Sequence, residues 1–116
     1  MSINTFHLNL KPQQEQALTE LKKKIKQKYD VEKTLIFGSV ARDEADKESD
    51  LDFLVLTKNS LSHKQKHDIY GITTEINLTY GTNISVLIIK KSEWENGVYS
   101  VLAIKEEVDK DGVIFR

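Results

Sequence analysis

The chain has 116 residues, 39% of them hydrophobic and 30% charged, which is enough for one hydrophobic core and too ordered a composition for disorder. Seventeen Lys and Arg against eighteen Asp and Glu leave a net charge of −1, so there is no global basic field of the kind that holds nucleic acid without sequence preference. With no cysteine, disulfides, thiolate zinc sites and thiol nucleophiles are excluded.

The first residues lack the basic-then-apolar order of a signal peptide, and the longest apolar run, Ile84 to Ile89 broken only by Ser85, is too short to span a bilayer. These features lead us to expect a cytoplasmic protein. In chain order, Pro12 suits a first helical position, and Leu18, Leu21, Ile25 and Tyr29 follow at helical spacing, which predicts a helix over 12–29. Its lysine-rich segment LKKKIKQK reads as the wet side of an amphipathic helix. Lys33 to Phe37 reads as a strand running into Gly38, residues 40–49 as a polar turn or short helix, and Leu51 to Leu56 as a second strand.

Ser62 with Gln65 forms a capping-box pattern, and Ile69, Ile72 and Ile76 continue one helical face toward Gly81. His63 and His67 fall opposite that face and read as solvated side chains. Asn83 to Ile89 is the third strand. Ser92 with Glu95 repeats the capping pattern before an Asn96-Gly97 turn, Val98 to Val108 reads as a last helix, and Asp111-Gly112 turns the chain into VIF, a candidate edge strand. Trp94 and Tyr99 are assigned to the chain's own core. The expected fold is α+β: one small domain over 1–116, with a short mixed sheet of three to four strands flanked by helices.

The chemistry concentrates in FGSVARDEADKESDLDFLV, residues 37–55. Side chains alternate along a strand, so Asp50, Asp52, Leu54 and Leu56 share one face, and Leu51, Phe53 and Val55 the other. Two carboxylates on one face repel unless a cation lies between them, and Mg²⁺ accepts such ligands while keeping sites for water and phosphate oxygens. Gly38 lets backbone approach a phosphate closely, and the Ser39 hydroxyl can donate to it. Arg42 suits a phosphate contact or a loop ion pair equally well, and Ser49 a ligand role or a turn brace.

Gly38-Ser39, ten residues, then Asp50-x-Asp52 resembles the signature of the DNA polymerase β-type nucleotidyltransferase superfamily. The fuller run G-S-x-A-R, then S-D-x-D and an apolar strand, resembles the stand-alone minimal nucleotidyltransferases. Four fixed residues at that spacing would arise by chance about once in 10⁵ start positions.

The resemblance implies ATP as substrate, Mg²⁺ or Mn²⁺ held by Asp50 and Asp52, and triphosphate contacts from Gly38 and Ser39. It also implies pairing with a HEPN-type helical toxin, which such antitoxins bind and in some pairs adenylylate on tyrosine. Since the chain leaves no room for an acceptor-binding domain, the acceptor comes from a partner or a second copy; the same lack disfavours transfer to tRNA or an aminoglycoside.

Two positions depart from the family pattern. Asp43 stands where glycine is usual, and the third strand, TNISVLII, carries no acid where the family has a third carboxylate. Asn83 is the best match to that position and Ser85 the second. Neither side chain can act as a base at neutral pH, so the resemblance supports two readings: an adenylyl transferase, or a module that keeps the fold and neutralises its partner by contact.

Overall fold

The computed structural model describes residues 10–37, 51–96, 105, 106, 108 and 112–115. Among the described residues the elements follow in the order α1 (Pro12–Lys28), β1 (Val31–Phe37), β2 (Leu51–Thr57), α2 (His63–Tyr80), β3 (Ile84–Lys90), α3 (Lys91–Asn96) and β4 (Val113–Ile114). The sheet order is β3-β2-β1-β4. β2 and β3 are parallel, as a helical crossover requires, while β1 is antiparallel to both β2 and β4. The result is a small α+β domain with a mixed four-stranded sheet flanked by helices.

The alternation read from β2 fixes which layer lies on which side. Leu51, Phe53 and Val55 join Ile36, Ile84 and Ile88 in a core covered by Ala17, Leu18, Leu21 and Ile25 of α1 and by Ile69 and Ile76 of α2. Leu54 and Leu56 face the other way, with Leu35, Phe37, Ile89, Trp94 and Val108. The lysines of α1 ring its buried stripe, and His63 and His67 are exposed, as their spacing implied.

Local chemistry sets the helix ends. Pro12 opens α1, where its missing N–H costs nothing, and the Gln14 side chain accepts from the Lys11 amide at 2.9 Å. In α2 the Ser62 hydroxyl accepts from the Gln65 amide at 3.1 Å, and the Gln65 side chain accepts from the Ser62 amide at 2.8 Å: the predicted capping box. Gly81 ends α2 at φ 66°, a left-handed conformation that side chains resist.

Two tyrosines tie α1 to α2. The Tyr29 hydroxyl donates to Asp68 at 2.8 Å, beside a Lys28–Asp68 ion pair of 3.2 Å, and the Tyr80 hydroxyl donates to Glu20 at 3.1 Å.

Some element boundaries differ from the sequence reading. β1 starts two residues earlier than Lys33, at Val31. Ser92 is no cap: β3 runs straight into α3, so Ser92 lies inside the helix, and burial of Trp94 against the second core sets that start. The Val98–Val108 helix lies mostly outside the described residues, although Lys105, Glu106 and Val108 are helical.

The predicted edge strand is present, and it is tied down by Phe115. The Phe115 amide donates to the Thr34 carbonyl at 2.9 Å, and its own carbonyl accepts from Thr34 Oγ1 at 2.8 Å and Lys22 Nζ at 3.0 Å. The Phe115 ring meets Phe53 edge-on, with centroids 5.9 Å apart, and lies under the Lys22 ammonium.

Candidate functional site

β1 ends, and β2 and β3 begin, at the same edge of the sheet. There the register aligns Phe37 of β1 with Asp52 of β2, and Asp52 with Ser85 of β3. All three belong to the face of Leu35, Leu54 and Leu87, so their side chains form a row across three strands. Phe37 is buried, Asp52 half-buried and Ser85 exposed, a gradient from packed floor to solvent along the row. Gly38 follows in sequence directly after Phe37, the β1 residue paired with Asp52.

Of the residues picked out from the sequence, Asp52, Asn83 and Ser85 are described; Gly38, Ser39, Arg42, Ser49 and Asp50 lie outside the described residues. Ser85 is the β3 neighbour of Asp52. Asn83 precedes β3, is exposed, and its carbonyl accepts from the Leu51 amide at 2.9 Å, which extends the parallel pairing by one step. Neighbouring strands lie about 4.8 Å apart, so side chains at 52 and 85 can share one small ligand.

One residue that matters to this geometry escaped the sequence reading. Asn77, in the last turn of α2, grips the first residue of β3 with its side-chain amide: Oδ1 accepts from the Ile84 amide at 2.8 Å, and Nδ2 donates to the Ile84 carbonyl at 3.1 Å. Thr82 Oγ1 donates to the same Oδ1 at 2.8 Å. The side chain thus imitates a neighbouring strand and pins the start of β3, which in turn fixes Ser85 beside Asp52. No local pattern marks such a residue, since its partner lies seven positions on, beyond the helix end.

The row offers oxygen donors, the Asp52 carboxylate and the Ser85 hydroxyl, with the exposed Asn83 near them. Oxygen ligands suit a hard cation such as Mg²⁺ or Mn²⁺. The set is thin: among the described residues no group of three His, Cys, Asp or Glu could hold a metal ion. An open hollow of about 730 Å³ along Glu15, Thr19, Glu20, Lys23 and Tyr80 lies on α1, on the opposite side of the sheet from Asp52, and gathers none of these donors.

A family model described as "Nucleotidyltransferase domain" matches residues 18–112. The chain belongs to the nucleotidyltransferase family. It is 37% identical over 79 residues to a protein of Methanocaldococcus jannaschii whose name assigns it protein adenylyltransferase activity, an alignment covering 66% of this chain and 80% of that one. Among solved structures, its fold matches a chain of a toxin–antitoxin crystallised with AMP-PNP at TM-score 0.57 and 15% identity, over 86% of this chain and 70% of that chain. It also matches a chain of a complex between a tri-AMPylated Shewanella oneidensis HEPN toxin and its MNT antitoxin, at TM-score 0.51 and 14% identity, over 86% and 66% respectively. At those identities the structures speak for the fold of this nucleotidyltransferase. Among the described residues no helix is long and apolar enough to cross a membrane.

Proposed function

We propose that this nucleotidyltransferase binds ATP with Mg²⁺ or Mn²⁺ at the β1–β2–β3 edge and transfers AMP to a hydroxyl of a HEPN-type protein partner in the cytoplasm. The observation that carries the reading is the Phe37–Asp52–Ser85 row, whose Phe37 is followed in sequence by Gly38-Ser39. The adenylyltransferase name of the M. jannaschii relative and the toxin–antitoxin fold neighbours support the acceptor class.

In this reading Gly38 and Ser39 hold the triphosphate through backbone N–H groups and the Ser39 hydroxyl, and Arg42 and Ser49 brace the phosphates or the loop. Asp50 and Asp52 hold the divalent ion, which when bound supplies charge neutralisation on the triphosphate. The acceptor oxygen forms a bond to the α-phosphorus, the bond to the leaving pyrophosphate breaks, and the acceptor proton passes to a base. Ser85 cannot take it at neutral pH.

Ser85 beside Asp52 also favours a second reading: a module that keeps the fold and neutralises its partner by contact alone, without transfer. Calorimetry of wild type and of an Asp50→Ala/Asp52→Ala double variant with ATP, with and without Mg²⁺, tests the nucleotide site. Metal-dependent binding that the variant loses is the expected result; no binding at millimolar ATP leaves a site completed by the partner or a fold kept for contact alone. Labelled AMP appearing on the co-purified partner, and lost in Asp52→Ala, then decides for the enzyme.

A further inference from the structure

We propose that β3 is the seam of a symmetric dimer: its outer edge pairs antiparallel with β3 of a second copy of this chain, about a two-fold axis at Leu87.

The direction of the backbone groups comes first. Among the described residues β3 stands at one edge of the sheet. The Asn83 carbonyl accepts from the Leu51 amide of β2, and backbone groups alternate sides along a strand. Ser85, Leu87 and Ile89 therefore bond inward to β2, while Ile84, Val86 and Ile88 present N–H and C=O outward. The grip of Asn77 agrees, since its side-chain amide takes both outward groups of Ile84. Among the described residues nothing takes those of Val86 and Ile88.

An open edge normally carries a device against pairing: a charge, a proline or a bulge. Here the β2–β3 register runs unbroken from Ile84 to Lys90, and Lys90 is the first charge after Glu75. Val86 and Leu87 are half-buried, one packed on each core. Antiparallel pairing about Leu87 sets Val86 opposite Ile88 of the second copy, and Ile88 opposite its Val86. Each of these pairs exchanges two hydrogen bonds, and Leu87 meets its own counterpart on the other face. Ile84, already held by Asn77, marks where the pairing stops.

α2 selects a second copy as the occupant. One flank of α2 lies beside β3: Lys66 borders a small hollow with Ile88 and Lys90, and Asn77 holds Ile84. Tyr70 and Thr74 fall between them at helical spacing, both exposed, Tyr70 at 43%. Leu87 lies between those two contacts, so the axis passes beside Tyr70, and the two α2 helices run antiparallel across it. Their charges suit that arrangement. The first turn of α2 carries Lys64 and Lys66 and no acid, and its last turn carries no basic residue, the reverse of what its own dipole favours. Antiparallel packing brings the basic end of each helix to the carbonyl end of the other.

An 18-residue helix is about 27 Å long, and helix plus strand layer is on the order of 20 Å deep, so the copies cover roughly 1,100 Å² in total. Stable interfaces start near ~1,200 Å², which puts the dissociation constant on the order of tens of micromolar.

The test is sedimentation equilibrium of the full chain from micromolar to near-millimolar concentration, with amide exchange at both ends of the range. Wild type should pass from monomer to dimer. Val86 and Ile88 amides should be protected in the dimer and released on dilution, while Leu87 and Ile89 stay protected in both. Tyr70→Lys sets two cations against each other at the axis and should raise the dissociation constant about tenfold or more. Thr79→Lys should leave it unchanged, because Thr79 is exposed three turns from Asp68, on the flank toward α1. Val86→Pro removes an outward N–H, spares the bonds to β2, and should abolish the dimer. If proline disturbs the fold, the exposed Tyr70 change and the wild-type exchange pattern still decide. Three results overturn the proposal: a monomer throughout the range, as when a different protein covers β3; a dimer whose Val86 and Ile88 amides exchange freely; or a dimer that Tyr70→Lys leaves unaltered.

Discussion

Replacing Asn77 with leucine should cost about 3 kcal/mol and loosen the start of β3 in particular. The substitution keeps the volume of the side chain and removes three hydrogen bonds, to the amide and carbonyl of Ile84 and to the Thr82 hydroxyl. Each such bond contributes about 0.5–1.5 kcal/mol net, and a buried group left without a partner costs about 1–3 kcal/mol. Ile84 and Thr82 are buried, so water replaces the lost partner poorly. Leucine recovers part of the loss through apolar contact. For a domain whose total stability is about 5–15 kcal/mol, the remainder is a large share. Urea unfolding, with the slope unchanged, gives the magnitude, and amide exchange at Ile84 gives the location. Asn77→Asp keeps both acceptor contacts and loses only the donor to the Ile84 carbonyl, so it should retain exchange protection at Ile84 that leucine abolishes. A loss below 1 kcal/mol for Asn77→Leu, with exchange at Ile84 unaltered, would refute the idea that this amide pins the strand.

Phe115→Ala should cost about 3–5 kcal/mol in the same assay, since the ring is 7% exposed and carries the edge-on contact with Phe53 and the Lys22 ammonium; Phe115→Leu, which keeps most of the burial, should lose much less. Gly81→Ala should lose about 1–2 kcal/mol through its φ of 66° alone, because a Cβ there meets nothing, and Gly81→Asn should recover part of it. The hydrogen bond from Tyr29, and then Lys28, hold the Asp68 carboxyl below its ordinary range. Its contribution is therefore present above the unfolded-state value and lost as pH falls through the folded one. Wild type and Asp68→Asn should differ in urea midpoint at neutral pH and converge in acid. The hydrogen bonds to Asp68 and Glu20 raise the Tyr29 and Tyr80 hydroxyls, so their contribution is present below the ordinary tyrosine value and fades as pH rises through the raised one; Tyr29→Phe and Tyr80→Phe should flatten that alkaline limb.

What the sequence disclosed follows from which forces are local. The buried stripe of α1, the Ser62–Gln65 capping box, the Gly81 stop and the two-sided alternation of β2 each depend on residues a few positions apart, and all are present in the structure. The start of α3 depended on a distant partner: Trp94 is drawn into the second core, and the helix begins before the apparent cap at Ser92. Register was the larger loss. TNISVLII offers Asn83 and Ser85 on the same alternating face, and the choice of which stands beside Asp52 is made by strand pairing and by Asn77. Neither leaves a trace in spacing, because the amide of Asn77 acts across the helix end. For the candidate site, the resemblance read from Gly38 to Val55 agrees with the family found, while the neighbour of Asp52 needed three dimensions.

The closure of the sheet by Phe115 bears on how the chain is made. Thr34 sits 81 positions before the residue that satisfies both its carbonyl and its hydroxyl, and Lys22 is 93 positions from its carbonyl partner. Synthesis runs from the amino end, so α1 and β1 leave the ribosome long before their partners at 113–115 exist. Until then Phe53 lacks its aromatic neighbour, and the outer edge of β1 has no β4 to pair with. A strand edge bare for that interval is a template for wrong pairing.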